Sequence, residues 1–281
     1  MTARNSAGSA ADTARRADGD ALEGLARVGL IAYGIVHLLI AWLSLQLAWS
    51  GGGQSADQSG ALQTLADSPV GKPLLWVLAV GLVALAAWQL AEVFRQRRGL
   101  SGSGEEKKEA TVGIVKSVAK TVVYLALAVL CVQNATGGGS SGSGQQQQAT
   151  SGVFALPGGR FLVGVAGLVV LGVGVYHVVK GVKQSFMKEI DVADASPGQR
   201  RLIERLGTVG YIAKGVALGV VGVLLTYAAI TYDAAKASGL DGAMRTILDA
   251  PFGKLLLTLV ALGIAAYGVF CFFRARYPQR T

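Results

Sequence analysis

Six long apolar runs divide this chain, at residues 28–49, 73–94, 112–132, 161–179, 209–230 and 255–273. Each holds about twenty residues, enough for a helix rising 1.5 Å per residue to cross a hydrocarbon core of about 30 Å. Hydrocarbon offers no water to satisfy peptide groups, so such runs must be helical. The first run exceeds the apolar stretch of a cleaved signal peptide and is expected to stay in the protein. The remaining residues agree. Only 15% are charged and 52% are apolar, whereas about a quarter are charged in a soluble domain. The expected fold class is therefore all-α, a polytopic membrane protein with six transmembrane helices.

A net charge of +9 would suit a nucleic-acid binder, but its placement suits a membrane better. Eighteen Lys and Arg lie in the N-terminal tail, the second and fourth connections and the C-terminal tail. The other side carries five: Lys72, Arg160, Lys236, Arg245 and Lys254. Lys116, Lys120 and Lys214 fall within apolar runs. This bias predicts a plasma-membrane protein with both termini cytoplasmic. No nucleic-acid motif accompanies the charge, so no nucleic-acid partner is expected. Cys131 and Cys271 belong to no CxxC and have no His at ligand spacing, which predicts no metal or cofactor. The helix directions put them on opposite sides of the bilayer, so no disulfide is expected between them. Nucleotide-loop, HExxH and nucleophile-elbow motifs are missing. The chain therefore reads as no enzyme, with no catalytic residues.

The chain also repeats itself. Residues 60–72 (GALQTLADSPVGK) and 242–254 (GAMRTILDAPFGK) share Gly, Ala, Thr, Asp, Pro, Gly and Lys at matching places. Residues 157–160 (PGGR) keep the end of the pattern, after a Gly/Ser/Gln segment at 137–148 that reads as a flexible linker. Residues 29–34 (GLIAYG) match 210–215 (GYIAKG). The unit is a pair of helices about 90 residues long, present three times. The boundaries are a disordered cytoplasmic tail at 1–26 and repeats at 27–98, 112–188 and 203–277. Each repeat has an even number of helices, so the three insert in parallel, which predicts a pseudo-threefold bundle.

The segments Ala61–Lys72 and Ala243–Lys254 resemble the signature of an actinobacterial integral membrane family of unknown function. Its members carry a triplicated two-helix transmembrane domain. The resemblance covers residues 22–277 and implies fold and membrane location, with no activity. Mitochondrial carriers are also triplicated two-helix proteins. Their Pro-x-[Asp/Glu]-x-x-[Lys/Arg] motif ends the odd helices, whereas here the Pro precedes the even ones and the acid is missing, so that identity is rejected.

The polar residues near the runs are the site candidates. Lys72, Arg160 and Lys254 occupy one repeat position after a Pro. Pro suits a helix's first turn and the cation would snorkel to the headgroups; a ring of cations around a vestibule is the functional alternative. Residues 60–67 and 242–249 read as short amphipathic helices on the outer surface, with a lid as the alternative. Lys120 and Lys214 share a column with Tyr33. They are expected to snorkel, or to pair with Glu92, and are functional candidates because ionisable groups inside a membrane are costly. His37 and His177 are expected to hydrogen-bond a neighbouring helix, with a proton relay as the alternative. Trp88-Gln89, Tyr176-His177 and Phe270-Cys271 share a column that reads as an interfacial belt.

The first functional expectation is a non-catalytic scaffold or envelope-associated protein, in contact with the lipid bilayer and with a membrane-protein partner or a second copy. The alternative is a small-solute or ion pathway. Polar residues of several repeats meeting at one place would favour the pathway; close Gly/Ala/Val packing would favour the scaffold.

Overall fold

The computed structural model describes residues 27–51, 53–97, 104–138, 142–193 and 195–277. The expected tail at 1–26 lies outside them. The described residues are helical, with no strand element among them. Nine α-helices follow in order: α1 (Arg27–Ser50), α2 (Gln58–Ala66), α3 (Gly71–Gln96), α4 (Glu105–Ala135), α5 (Gly142–Phe154), α6 (Gly159–Val182), α7 (Pro197–Thr231), α8 (Gly239–Leu248) and α9 (Gly253–Arg276). Short 3-10 turns cover Ser185–Glu189 and Ala234–Lys236. Helices α1, α3, α4, α6, α7 and α9 are long and apolar enough to span a bilayer. They coincide with the six apolar runs and extend past them, most at α7. There Ser196 and Gln199 form a reciprocal capping box and Pro197 begins the helix.

The helices form two compact units. The smaller is Gln58–Gly142; the larger joins the described parts of Met1–Asp57 and Ser143–Thr281. In both, the even helix of one repeat packs on the odd helix of the next. Helix α3 packs on α4 in the smaller unit. In the larger, α6 packs on α7 and α9 meets α1 through Gly268 and Gly34.

A stripe of mostly small residues explains these pairings. The buried positions of α6 include Val163, Gly167, Gly174 and Gly181. The same repeat positions are buried in α3 (Leu75, Ala79, Ala86, Val93) and α9 (Leu257, Ala261, Gly268, Ala275). On the odd helices the matching stripe is Gly34, Ala41 and Ala48, then Thr121, Ala128 and Ala135, then Gly215, Gly222 and Ala229, all buried. The odd stripe recurs every seventh residue, as in a heptad seam. Hydrocarbon gives no hydrophobic drive between helices, so close backbone approach supplies the attraction. A Cβ on Gly174 would lie 2.7 Å from the Gly219 nitrogen, and one on Gly34 would lie 2.8 Å from the Gly268 oxygen.

Each even membrane helix is entered through a tight turn. The Gly71, Gly159 and Gly253 amides donate to the carbonyls of Ser68, Leu156 and Ala250, at 3.0, 2.9 and 2.8 Å. Pro69, Pro157 and Pro251 thus stand second in a four-residue β-turn, where their fixed φ fits, and Gly stands fourth. This corrects the placement of Pro in the helix itself. The third residue sets the turn type. Val70 has φ −102° and ψ −2°, while Gly158 and Phe252 have φ +74° and +60°. The fourth residue is Gly because a Cβ there would lie 1.8 Å from the carbonyl oxygen of Leu65, Val153 or Leu248.

The 137–148 segment differs from its expectation as a flexible linker. From Gly142 onward it is helix α5, with Gln145–Gln148 inside it. Gln is a good helix former, and the helix is tied down within its Gln run and at its last residue. Gln147 Nε2 donates to the Ala235 carbonyl (2.9 Å), and the Tyr232 hydroxyl donates to the Phe154 carbonyl (3.1 Å). All three repeats therefore have a short helix before the turn: α2, α5 and α8. Leu62 of α2 and Met244 of α8 are buried. Asp241 of α8 is buried too, accepting from the Ala56 amide at 2.9 Å and pairing with Arg245.

Candidate functional site

Near one end of the larger unit's membrane helices, four helices and one turn contribute aromatic and charged side chains. Helix spacing places them in pairs: Tyr33 and His37 on α1, His177 and Lys180 on α6, Tyr211 and Lys214 on α7, Tyr267 and Phe270 on α9. Members three or four apart share a helix face. The turn Ser185–Glu189 adds Phe186 and Glu189.

Lys214 lies at the centre of the group. Its Nζ donates to the Tyr33 hydroxyl and stands 4.9 Å and 4.4 Å from the ring centroids of Tyr33 and Tyr267. Aromatic faces carry negative potential and stabilise a cation more strongly away from water. No carboxylate lies within ion-pair distance of this ammonium among the described residues. His37 sits beside it, its ring 4.3 Å from Tyr33 and 5.0 Å from Tyr267. Its Nδ1 donates to the Tyr33 carbonyl at 2.8 Å, so in the neutral ring Nε2 keeps its lone pair. His177 repeats the device, donating from Nδ1 to the Val173 carbonyl at 2.8 Å, with its ring 5.7 Å from Tyr211.

Lys180 differs from Lys214 in having an acid. Glu189 accepts from Lys180 and lies 3.1 Å from Arg274, so one carboxylate ties α6 to α9. Behind it Phe186, Tyr211, Tyr267 and Phe270 form a packed aromatic cluster with Cys271. The assembly holds a half-buried ammonium, phenolic hydroxyls and two imidazoles. Such groups bind an anion or pass a proton.

The other candidates fall elsewhere. Lys120, in the Lys214 column, is exposed on α4. Glu92 pairs with Arg95 and Gln96 on its own helix, not with either column lysine as expected, because those partners lie one turn away. Arg160 caps α7: Nε donates to the Ala229 carbonyl at 2.7 Å and Nη2 to the Ile230 carbonyl at 2.6 Å. These are carbonyls a helix end leaves without partners. Lys72 and Lys254 are exposed at the matching positions. The belt column splits: Trp88 and Tyr176 are exposed, but Phe270 and Cys271 are core. Both cysteines are free and buried.

Sequence reasoning singled out Lys214, His37 and His177 but not Tyr211, Tyr267, Glu189 or Arg274. A usable signal was present, namely a ring-bearing residue three or four positions from a Lys or another ring on each of four helices.

The triplication has a counterpart among known proteins. The model of a family described as Domain of Unknown Function (DUF1206) matches three times, at residues 28–96, 115–184 and 209–278. The chain belongs to that family. Its three copies of the DUF1206 domain each contain one odd and one even membrane helix, so the α6·α7 and α9·α1 seams join different copies. A relative in Bacillus subtilis (strain 168), "Uncharacterized protein YxxB", is 30% identical over 255 residues, covering 91% of this chain and 90% of that protein. Its source lies outside the actinobacteria that the sequence resemblance suggested. No solved structure matches.

Proposed function

We propose that this protein is a non-catalytic membrane protein that binds the acidic group of a small solute at Lys214, as the loading site of a solute pathway. One observation carries the proposal: side chains of the first and third DUF1206 copies hold an ammonium that lacks a carboxylate partner among the described residues, and His177 of the second copy packs on the neighbouring Tyr211. A cation in a low-dielectric site favours a compensating anion. Tyr33 and the two imidazoles supply further polar contacts. The small-residue seams favour the second reading, a scaffold, since close packing alone would explain them. The reading places both termini in the cytoplasm and the protein in the plasma membrane.

The test uses purified protein in liposomes, with chloride, phosphate and acetate as probes. Wild-type protein should show anion-dependent thermal stabilisation and anion flux. Lys214→Met should keep folded yield and lose both. Lys120→Met, on an exposed helix face, should change neither. Wild-type protein with neither stabilisation nor flux for any probe would leave the scaffold reading in place.

A further inference from the structure

The three even–odd seams are not equal where the even helix begins. In the α9·α1 pair, Trp49 of α1 donates from its indole nitrogen to the Thr258 hydroxyl of α9 at 3.1 Å. In the α3·α4 pair, the even-helix position matching Thr258 is Trp76. Each of these helix pairs thus has a tryptophan at one of the two positions. In the α6·α7 pair the same two repeat positions are Gly164 and Ile230. A groove of about 480 Å³ opens there, lined by Phe161, Gly164, Val165, Leu168, Ala229 and Ile230. Its volume lies in the range of small-molecule sites.

Arg160 stands at the mouth of this groove. Its guanidinium has five N–H donors. The Ala229 and Ile230 carbonyls account for one on Nε and one on Nη2. The remaining donors have no partner among the described residues, and the side chain is exposed at the start of a membrane helix. An apolar slot within a span, headed by a planar cation at helix-end depth, matches one kind of molecule. The slot suits hydrocarbon and the fork suits a phosphate.

We infer that the α6·α7 groove is a phospholipid site, with one acyl chain lying along Gly164 and the headgroup phosphate on Arg160. The two bonds to α7 hold the guanidinium in place, so little side-chain freedom is lost on binding. Lys72 and Lys254 offer a point charge at the same depth, without the fork.

The test is native mass spectrometry of the full chain, purified in mild detergent and titrated with phosphatidylglycerol, and separately with a diacylglycerol of the same chains. Wild-type protein should retain phosphatidylglycerol as a discrete adduct and hold diacylglycerol far less. Gly164→Trp, which puts a tryptophan where α3 has Trp76, should lose the adduct while keeping the melting temperature. Arg160→Lys should weaken the phospholipid adduct and leave diacylglycerol unchanged. An adduct equally strong in Gly164→Trp, or no wild-type adduct, would overturn the assignment. So would equal retention of diacylglycerol, which would make the groove a hydrocarbon slot without a headgroup site. None of these outcomes depends on Lys214.

Discussion

Lys120 and Lys214 show how one repeat position acquires two characters. Their columns match, yet Lys120 is exposed while Lys214 is half-buried against Tyr33 and Tyr267. The intramembrane lysines were legible in the sequence, but their surroundings were not. Periodicity fixes which face of a helix a residue occupies and says nothing of which helix arrives opposite. The tyrosines that hold Lys214 come from the first and third domain copies and are joined only by the α9·α1 and α7·α9 packing. Glu189 makes a similar point at residue scale. It lies in a short polar connection that reads as featureless, and it bridges Lys180 and Arg274. Glu189→Gln should leave two cations facing a neutral amide. The expected cost is roughly 1 kcal/mol, reduced by partial exposure, read as a lower melting temperature. Addition of salt should narrow the gap between variant and wild type. An unchanged melting temperature would reduce the bridge to a surface pair.

At the scale of elements, the Pro-x-Gly repeat was visible in the sequence, but its meaning changed. Proline preference suggests a helix start; the backbone shows a β-turn with Pro second and Gly fourth, and the helix begins at the Gly. Composition misled at the 137–148 segment for a related reason. Gly, Ser and Gln describe a linker in isolation, yet a tertiary bond from Gln147 to Ala235, and one from Tyr232 to the far end of the same helix, hold Gly142 onward as α5. The turns yield a paired prediction. Gly253→Ala puts a methyl 1.8 Å from the Leu248 oxygen and should cost roughly 1–3 kcal/mol. Gly172→Ala meets nothing within 4 Å and should be neutral or stabilising by up to about 1 kcal/mol. Phe252 adopts the positive φ that Gly158 occupies in the second copy, so Phe252→Gly should relieve about 1 kcal/mol of strain. Thermal unfolding in detergent ranks all three. Gly253→Ala behaving like Gly172→Ala would contradict the turn geometry.

At the scale of the whole molecule, length and hydropathy alone revealed the six spans, because hydrocarbon leaves few alternatives, and matching residues such as those of 60–72 and 242–254 revealed the threefold repeat. The seams were half legible: small residues at helical spacing promised close contacts without naming partners. Orientation rests on the charge bias, and the larger unit offers an internal consistency check. At one end Arg160 joins the start of α6 to the end of α7, and Trp49 joins the end of α1 to the start of α9. At the other, Glu189 joins the end of α6 to the end of α9, and the Tyr277 hydroxyl reaches Gln199 near the start of α7. Within the larger unit α1 and α7 thus run one way and α6 and α9 the other, as parallel insertion of the repeats requires. In the larger unit the first end carries Arg160 and Lys254, and the second carries Lys180, Arg200, Arg201, Arg274 and Arg276. Single cysteines at exposed positions Ser151 and Asp249 should therefore react with an impermeant maleimide on intact cells. Those at Lys188 and Gln199 should react only after permeabilisation. Native Cys131 and Cys271 are 3% and 1% exposed and should contribute little background. Both pairs reacting from the same side would break the alternation of helices. A clean reversal would keep the alternation and overturn the charge rule as the guide to which end faces the cytoplasm.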